Sequence, residues 1–350
     1  MISLTETAFY ARRTINWVIL GVIAYIILRI VWSLTVFFWI ILFPPQPPPP
    51  NHRFGKLPQL VFPIQASPSA QLSYHLETIE GAVPKASGSA TVYFMPKAAP
   101  NLLALTNTQE FAQKLQFNPT PIQESKNIYR FNDTEFPLRR LRFDIVTSNF
   151  IIRYGFEQDF SVFSQKNLPS QEIIIQETLN LLDSNLRFHE DLDKSSPSVS
   201  YLRLSGNSLV PTTSLSQSDA VRVDIFRKSI GTMPVVTPTN TEAAISIIFT
   251  GSTIMKKHII QFAYTYWPVD YQMSATYALK TSDEAWRELN DGRGYIAKYP
   301  INSSSVVVRN VYLAYYDSFE SQTYLQPIFV FEGEGGFVGY VPAIDPMWVE

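Results

Sequence analysis

The side chains able to do chemistry in this chain are few and widely spaced. Its four histidines, His52, His75, His189 and His258, would have to build any zinc site with carboxylates, because there is no cysteine. None has a second ligand at metal spacing, and no His-Glu-x-x-His segment is present. They read as strand or surface residues. Glu190, Asp191 and Asp193 form an acidic loop. A calcium loop counted from Asp191 would want Gly at its sixth position and Glu at its twelfth, where the chain has Ser196 and Leu202. This loop reads as solvated linker. Gly333, Gly335, Gly336 and Gly339 fall between two strand-like runs rather than before a helix, so they read as a hairpin loop and not a phosphate cradle. No Gly-x-Ser-x-Gly elbow occurs. Glu157, Asp159 and Asp270 remain as candidates for paired-carboxylate chemistry, which one sequence neither pairs nor separates. No cofactor and no metal is expected.

Aromatic residues are the densest unusual feature. Tyr264, Tyr266, Trp267, Tyr271 and Tyr277 lie close together, and Tyr312, Tyr315 and Tyr316 follow later. Core and sheet-face packing accounts for most of such a cluster. Tyr and Trp are also favoured at interfaces, so Tyr264, Tyr266, Trp267, Tyr271, Tyr312, Tyr315 and Tyr316 are candidate partner contacts.

These residues sit behind a long apolar segment. Ile15 to Phe43 is almost wholly apolar and ends at Pro44-Pro45-Gln46-Pro47-Pro48-Pro49-Pro50. A helix over that run would be on the order of 40 Å long, enough to cross a bilayer core of about 30 Å. The prolines stop a helix and favour a stiff extended spacer. Arg12 and Arg13 directly precede the run, while His52, Arg53 and Lys56 lie beyond the prolines. The positive-inside rule then points to a cytoplasmic N-terminus and an outside body. The run is longer than a signal-peptide core and no small-x-small cleavage site follows. Arg29 lies inside the run, where a charge costs about 2.5–3.5 kcal/mol on insertion scales. Either Arg29 snorkels towards the interface, or it pairs with a carboxylate or carbonyl of a partner membrane helix.

Of 28 basic and 30 acidic residues, residues 1–43 hold Arg12, Arg13, Arg29 and Glu6, which leaves the body 25 against 29. A body with a net charge of −4 carries no nucleic-acid footprint. The body reads as α+β. Strands are expected at Leu72–Ile79, Ala90–Met95, Asn127–Phe131, Leu138–Thr147 and Phe150–Phe156, with Leu141 and Phe143 facing inwards and Arg140 and Arg142 outwards. Further strands are expected around Val221–Ile225, at Ala244–Thr250 paired with His258–Tyr266, and at Ser305–Tyr316, Tyr324–Phe331 and Phe337–Val341. Helices are expected at Asn107–Leu115, Ser170–Asn185 and Thr281–Leu289. Residues 107–115 and 281–289 share a capped amphipathic pattern, and this echo raises a duplicated α+β unit. The division expected is a cytoplasmic 1–14, a transmembrane helix 15–43, a Pro-rich stalk 44–70, a first α+β domain 71–192 and a second 198–345, split at the polar stretch 191–198. The Asn132-Asp133-Thr134 and Asn302-Ser303-Ser304 sequons read as chance.

Tyr277-Ala278-Leu279-Lys280-Thr281-Ser282-Asp283-Glu284-Ala285-Trp286-Arg287-Glu288-Leu289 leads into Gly292-Arg293-Gly294, and Val311-Tyr312-Leu313-Ala314-Tyr315-Tyr316 and Tyr324–Phe331 follow. This stretch, about residues 270–342, resembles the YycI-type family of bacterial membrane-anchored regulators, whose fold is related to PepSY domains. The resemblance implies one N-terminal span, an extracytoplasmic α+β body, and action by contact with a membrane sensor kinase rather than by catalysis. It carries across no functional residue. The function expected is therefore a non-catalytic, cell-surface binding or regulatory module touching another envelope protein. An anchored enzyme acting on cell-wall polymers and an assembly scaffold are the rival readings.

Overall fold

A computed structural model describes residues 4–42, 49–64, 72–79, 81–185, 188–301 and 304–350. The chain divides into two compact units, 1–48 and 49–350.

The first unit is one helix, α1 (Leu4–Leu42), of 39 residues. Its stretch Ile15–Trp39, 25 residues of mean hydropathy 2.2, has no buried part. Apolar side chains cover it all round: Trp17, Leu28 and Trp32 are as exposed as Ile26 and Ile30. A helix apolar on every face but covered by no protein is long and apolar enough to cross a membrane. The prolines expected to form a stalk fall mostly outside the described residues, at 43–48.

The second unit contains two sheets. One has nine strands, all antiparallel, in the order Ile122–Gln123, Ile128–Asn132, Arg139–Asp144, Phe150–Tyr154, Ile259–Tyr264, Ile245–Thr250, Ala220–Ile225, Ser198–Ser205, Ser208–Thr212. One face is closed by α2 (Ala104–Lys114) and α3 (Gln171–Asn185). Ala112, Ile174 and Leu182 pack there on Phe131, Leu141, Ile152, Val223, Ile247 and Phe262. Part of the opposite face is open to water, the usual state of an antiparallel sheet covered on one side. Its last strand carries Pro211, which blunts that edge. The one-turn α4 (Met255–His258) links two of the central strands.

The other sheet has eight strands. Ser305–Tyr316 and Tyr324–Gly333 form its centre and pair antiparallel, followed by Val338–Pro342 and Tyr295–Lys298. Ser73–Leu76 and Val235–Val236 run parallel to Ser305–Tyr316, and Ser89–Phe94 pairs with Asp270–Ala278 and with Tyr324–Leu325. α5 (Ser282–Asn290) covers it with Ala285 and Leu289 against Phe329, Phe337 and Val341. α5 starts on a reciprocal cap: Glu284 N donates to Thr281 Oγ1 (3.2 Å) and Thr281 N donates to Glu284 Oε2 (2.7 Å). It stops at Gly292, whose φ of +73° suits glycine.

The sheets do not divide the chain at 191–198. The nine-stranded sheet is built from residues 122–264 on both sides of that stretch, and the eight-stranded sheet from 73–94 and 270–342 together with 235–236. One sheet is thus nested inside the sequence of the other. The polar stretch is the connection from α3 into the strand Ser198–Ser205. The two echoed helices, α2 and α5, each cover one sheet, but the strand orders beneath them differ. α2 also begins at Ala104 rather than at Asn107. A turn at Asn101 leads into it, Asn101 accepting from Leu103 N with its side chain (2.9 Å) and from Ala104 N with its carbonyl (3.1 Å).

Residues 49–64 are no free spacer. Leu57 is fully buried, its N–H donates to Trp348 O (2.8 Å), and its carbonyl accepts from Glu350 N (2.9 Å). His52 stacks on Trp348 with centroids 3.6 Å apart, and Phe62 stacks on Tyr295 at 4.8 Å. Apolar patches between the prolines had a sheet to cover. Leu57→Ala is expected to cost about 2–5 kcal/mol, the range for a buried leucine. Urea unfolding of the full chain in detergent measures it, and an unchanged midpoint would restore the spacer.

Candidate functional site

Among the described residues of the second unit, polar side chains gather at a buried junction and along an open face, among other places.

The buried one lies where the two sheets meet. Arg227 follows the strand Ala220–Ile225 and Asp317 follows Ser305–Tyr316, so each sheet delivers one charge. Arg227 Nε donates to Asp317 Oδ2 (2.8 Å), Nη1 to Asp191 Oδ2, and Nη2 to Trp267 O. The hydroxyls of Tyr266 (3.0 Å) and Tyr271 (3.2 Å) donate to Asp191. The guanidinium lies over the Tyr266 ring at 4.7 Å, and His189 stacks on that ring at 3.7 Å. Burial works to lower the Arg227 pKa but is outweighed by Asp317 and Asp191, which hold it up. Burial pushes the Asp317 carboxyl up, against the pull of Arg227. Its Oδ1 is buried without a partner. Burial followed by Asp191 raises the Tyr266 and Tyr271 hydroxyls, and burial chiefly lifts Tyr264 to about 12.

This junction takes three members of the aromatic cluster. Tyr266, Trp267 and Tyr271 converge on Arg227 and Asp191, while Tyr264 stacks on Phe150 inside the nine-stranded core. Tyr315 packs on Tyr93 at 5.7 Å and donates to Thr91 O (2.8 Å). Tyr316 is fully buried against Phe62 and Tyr340. Half-buried Tyr312 donates to Glu332 Oε1 (2.7 Å). Tyr264, Tyr315 and Tyr316 are core residues with no surface to offer a partner; Tyr266, Trp267, Tyr271 and Tyr312 keep partly exposed edges. Arg29 belongs to the other unit and is exposed on α1. Asp191, read from sequence as solvated linker, is instead the anion that Arg227 holds, because the chain folds its loop back onto Phe226 and Lys228.

The open place is the bare face of the nine-stranded sheet. Side chains alternate along each strand, so Arg140 and Arg142 point away from the helix-covered core that holds Leu141 and Phe143. Register sets Arg140 directly opposite Arg153, and Arg142 directly opposite Arg130. Farther along the row, Gln261 lies opposite Arg153, and Arg222 lies two strands beyond. Glu124 serves Arg142 Nε (2.9 Å) and Arg130 Nε (3.5 Å) together. Arg222 Nε bonds both oxygens of buried Asp224 (3.0 and 2.9 Å), and its Nη1 meets Glu242 (3.1 Å). Arg153 pairs with Glu157. Two adjoining hollows lie over this row. One of about 380 Å³ has a floor of Leu202, Ile248 and Ile260. One of about 340 Å³ is bounded by Leu138, Arg140 and Arg153. Glu157 lines both.

The three carboxylates considered for catalysis are engaged separately. Glu157 is paired with Arg153. Asp159 Oδ2 accepts from Lys257 Nζ (2.7 Å) and the Tyr154 hydroxyl (2.6 Å), and its Oδ1 accepts from Ser161 N (3.1 Å). Lys257, Ser161 and Tyr154 hold the Asp159 carboxyl far below the usual range. Asp270 belongs to the other sheet, where its Oδ1 accepts from the backbone N–H of Gln272 (2.9 Å) and Met273 (3.1 Å). Among the described residues no three His, Asp or Glu side chains gather as a metal-ligand group.

No family model and no curated protein matches the chain. Among solved structures it is similar to an uncharacterized protein from Eubacterium rectale ATCC 33656, a crystal structure at 1.45 Å resolution. The identity is 13%, the match covers 72% of this chain and 82% of that one, and the TM-score is 0.39.

Arg227→Met is expected to cost about 3–5 kcal/mol, since it strands the buried Asp317 and the mostly buried Asp191. Asp317→Asn is expected to stay within about 1 kcal/mol of wild type, because it removes a charge that burial already disfavours. The Asp317 carboxyl is raised in the folded chain. Its contribution is therefore full below the ordinary carboxyl pKa of about 3.9 and is lost as pH rises through the folded value. Urea midpoints at about pH 3.5, below the ordinary carboxyl pKa, and at about pH 8 should show wild type losing ground to Asp317→Asn at the higher pH. Asp159 has the opposite sign: its contribution is full above about 3.9 and is lost as pH falls. The stability gap between wild type and Asp159→Asn should close in acid, which a pH series of unfolding curves measures.

Proposed function

We propose that this chain is a single-pass, membrane-anchored, extracytoplasmic binding and regulatory protein that contacts another envelope protein and catalyses no reaction. The observation that carries this reading is the contrast between its two units. Ile15–Trp39 buries none of its apolar surface within the molecule, whereas residues 49–350 close cores of their own around Phe262, Phe329 and Tyr340. Arg12 and Arg13 before the span favour a cytoplasmic N-terminus. The resemblance of residues 270–342 to YycI-type regulators supports a contact role. The paired state of Glu157, Asp159 and Asp270 favours binding over glycosidase-type catalysis, which needs one carboxyl free to give its proton.

Arg29 belongs to this reading as a second contact. It lies two residues past the midpoint of Ile15–Trp39, where an unpaired charge costs about 2.5–3.5 kcal/mol. The only acid in α1 is Glu6, 23 positions away and roughly 34 Å along the axis. Protease added to intact cells should remove the body and spare a fragment the size of the anchor. Affinity purification from membranes should enrich an envelope protein with wild type, and at least about threefold less of it with Arg29→Leu. A body protected in intact cells, or no enriched envelope protein, would defeat the proposal.

A further inference from the structure

The open face of the nine-stranded sheet contains a comparison within itself. Two arginine pairs lie side by side across neighbouring strands, Arg130 opposite Arg142 and Arg140 opposite Arg153. Directly opposed residues on one face have Cβ atoms about 4.5–5.5 Å apart, and like charges so placed repel. The chain resolves the first pair with one carboxylate, Glu124, set between the two guanidinium groups at 2.9 and 3.5 Å. Among the described residues the second pair has no such bridge. Glu157 engages Arg153 alone. Arg140 is exposed, and its cross-strand neighbours are Asn132 and Arg153. The three charged groups lining the hollow beside it, Arg140, Arg153 and Glu157, leave one cation in surplus.

We infer that Arg140 and Arg153 form a docking site for a carboxylate of a partner protein, an Asp or Glu side chain that takes at this pair the place Glu124 takes at the next. This rests on the proposed binding role and names the chemistry of the contact. The hollow of about 340 Å³ leaves room for that side chain over Arg140. The adjoining hollow, floored by Leu202, Ile248 and Ile260, accepts an apolar neighbour from the same segment. A second copy of this chain presenting the same face would set arginine against arginine. A body with a net charge of −4 is poorly suited to nucleic acid. A guanidinium pair suits a bridging carboxylate with one oxygen towards each, as Glu124 illustrates. Arg140 is separated from the stabilising pairs around it, so it can be changed without unfolding the sheet.

The test uses the full chain in phosphatidylcholine nanodiscs and a fluorescent, amidated peptide of ten Glu-Ser repeats, with a Gln-Ser twin. Anisotropy should show binding of the Glu peptide and little of the Gln peptide, weakening as salt rises. Arg140→Gln should weaken it about fivefold or more, whereas Lys97→Gln, an exposed cation on the strand-end loop of the other sheet, should leave it unchanged. Thermal unfolding of Arg140→Gln should match or exceed wild type, since a repelling charge is removed. Equal binding of both peptides, or equal effects of the two substitutions, overturns the site. So does Arg140-dependent flotation with phosphatidylglycerol vesicles in the absence of peptide binding, which would make the ligand a lipid phosphate. If the peptide fails but the membrane purification still enriches an envelope protein, only this face is refuted and the tethered binding role stands.

Discussion

Arg227 holds the body together where hydrophobic packing alone would leave a seam. The nine-stranded sheet ends one of its central strands just before Arg227, and the eight-stranded sheet ends its longest strand just before Asp317. A third element, the loop after α3, brings Asp191, and the crossing between sheets brings the Trp267 carbonyl. Five donors in a rigid planar fork allow one arginine to satisfy three partners at once, which a lysine could not do with the same geometry. The cluster carries two carboxylates against one guanidinium. Its remaining negative charge is spread over tyrosine hydroxyls, and one oxygen of Asp317 receives no donor. A core of leucines at this seam would cost less to assemble. It would also fix the relative setting of two sheets less sharply, because only the charged cluster demands a single arrangement.

The elements of each sheet were largely legible in the sequence, and their assembly was not. The alternation of Leu141 and Phe143 with Arg140 and Arg142 identified both a strand and its wet face. The Thr281-to-Glu284 spacing identified a capped helix, and the Ala244–Thr250 and His258–Tyr266 runs form the hairpin expected of them. The hairpin Ser198–Ser205 with Ser208–Thr212 escaped notice although its signal is present: Gly206-Asn207 is a two-residue turn, and Gly206 has φ of +59°. Nesting of one sheet inside the other left no local trace. Strand pairing depends on side chains far apart in sequence, such as Phe94 beside Asp270 and Phe150 beside Tyr264. A polar stretch at 191–198 looks the same whether it links domains or turns back into a sheet.

The candidate sites divide along the same line. A tyrosine cluster in sequence signals burial or an interface without choosing between them. Here it divides: Tyr264, Tyr315 and Tyr316 face cores, whereas Tyr266 and Tyr271 bond Asp191 through their hydroxyls and keep exposed edges. Asp191 itself could not have been found from its neighbours, because a short acidic loop is ordinarily solvated; its partner lies 36 positions on and is brought there by the sheet. The arginines of the open face were visible one strand at a time, but that they stand opposite one another is a property of register.

That register bears on the choice between catalysis and binding. An acid–base site needs a carboxyl whose proton is loosely committed, and such groups are recognised by burial or like charge pushing the pKa up within a cleft. On the open face Glu124, Glu157 and Glu242 each lie against an arginine, and Asp159 lies against a lysine that helps hold its carboxyl low. Among the described residues of this face, the charged group without a counterion is a cation, Arg140, and a guanidinium presents donors only. What an exposed, permanently charged, geometrically rigid fork does well is select a shape of anion. On the proposed binding role, an unmet demand for a carboxylate rather than for a proton marks this face as the place where a partner's acid would dock.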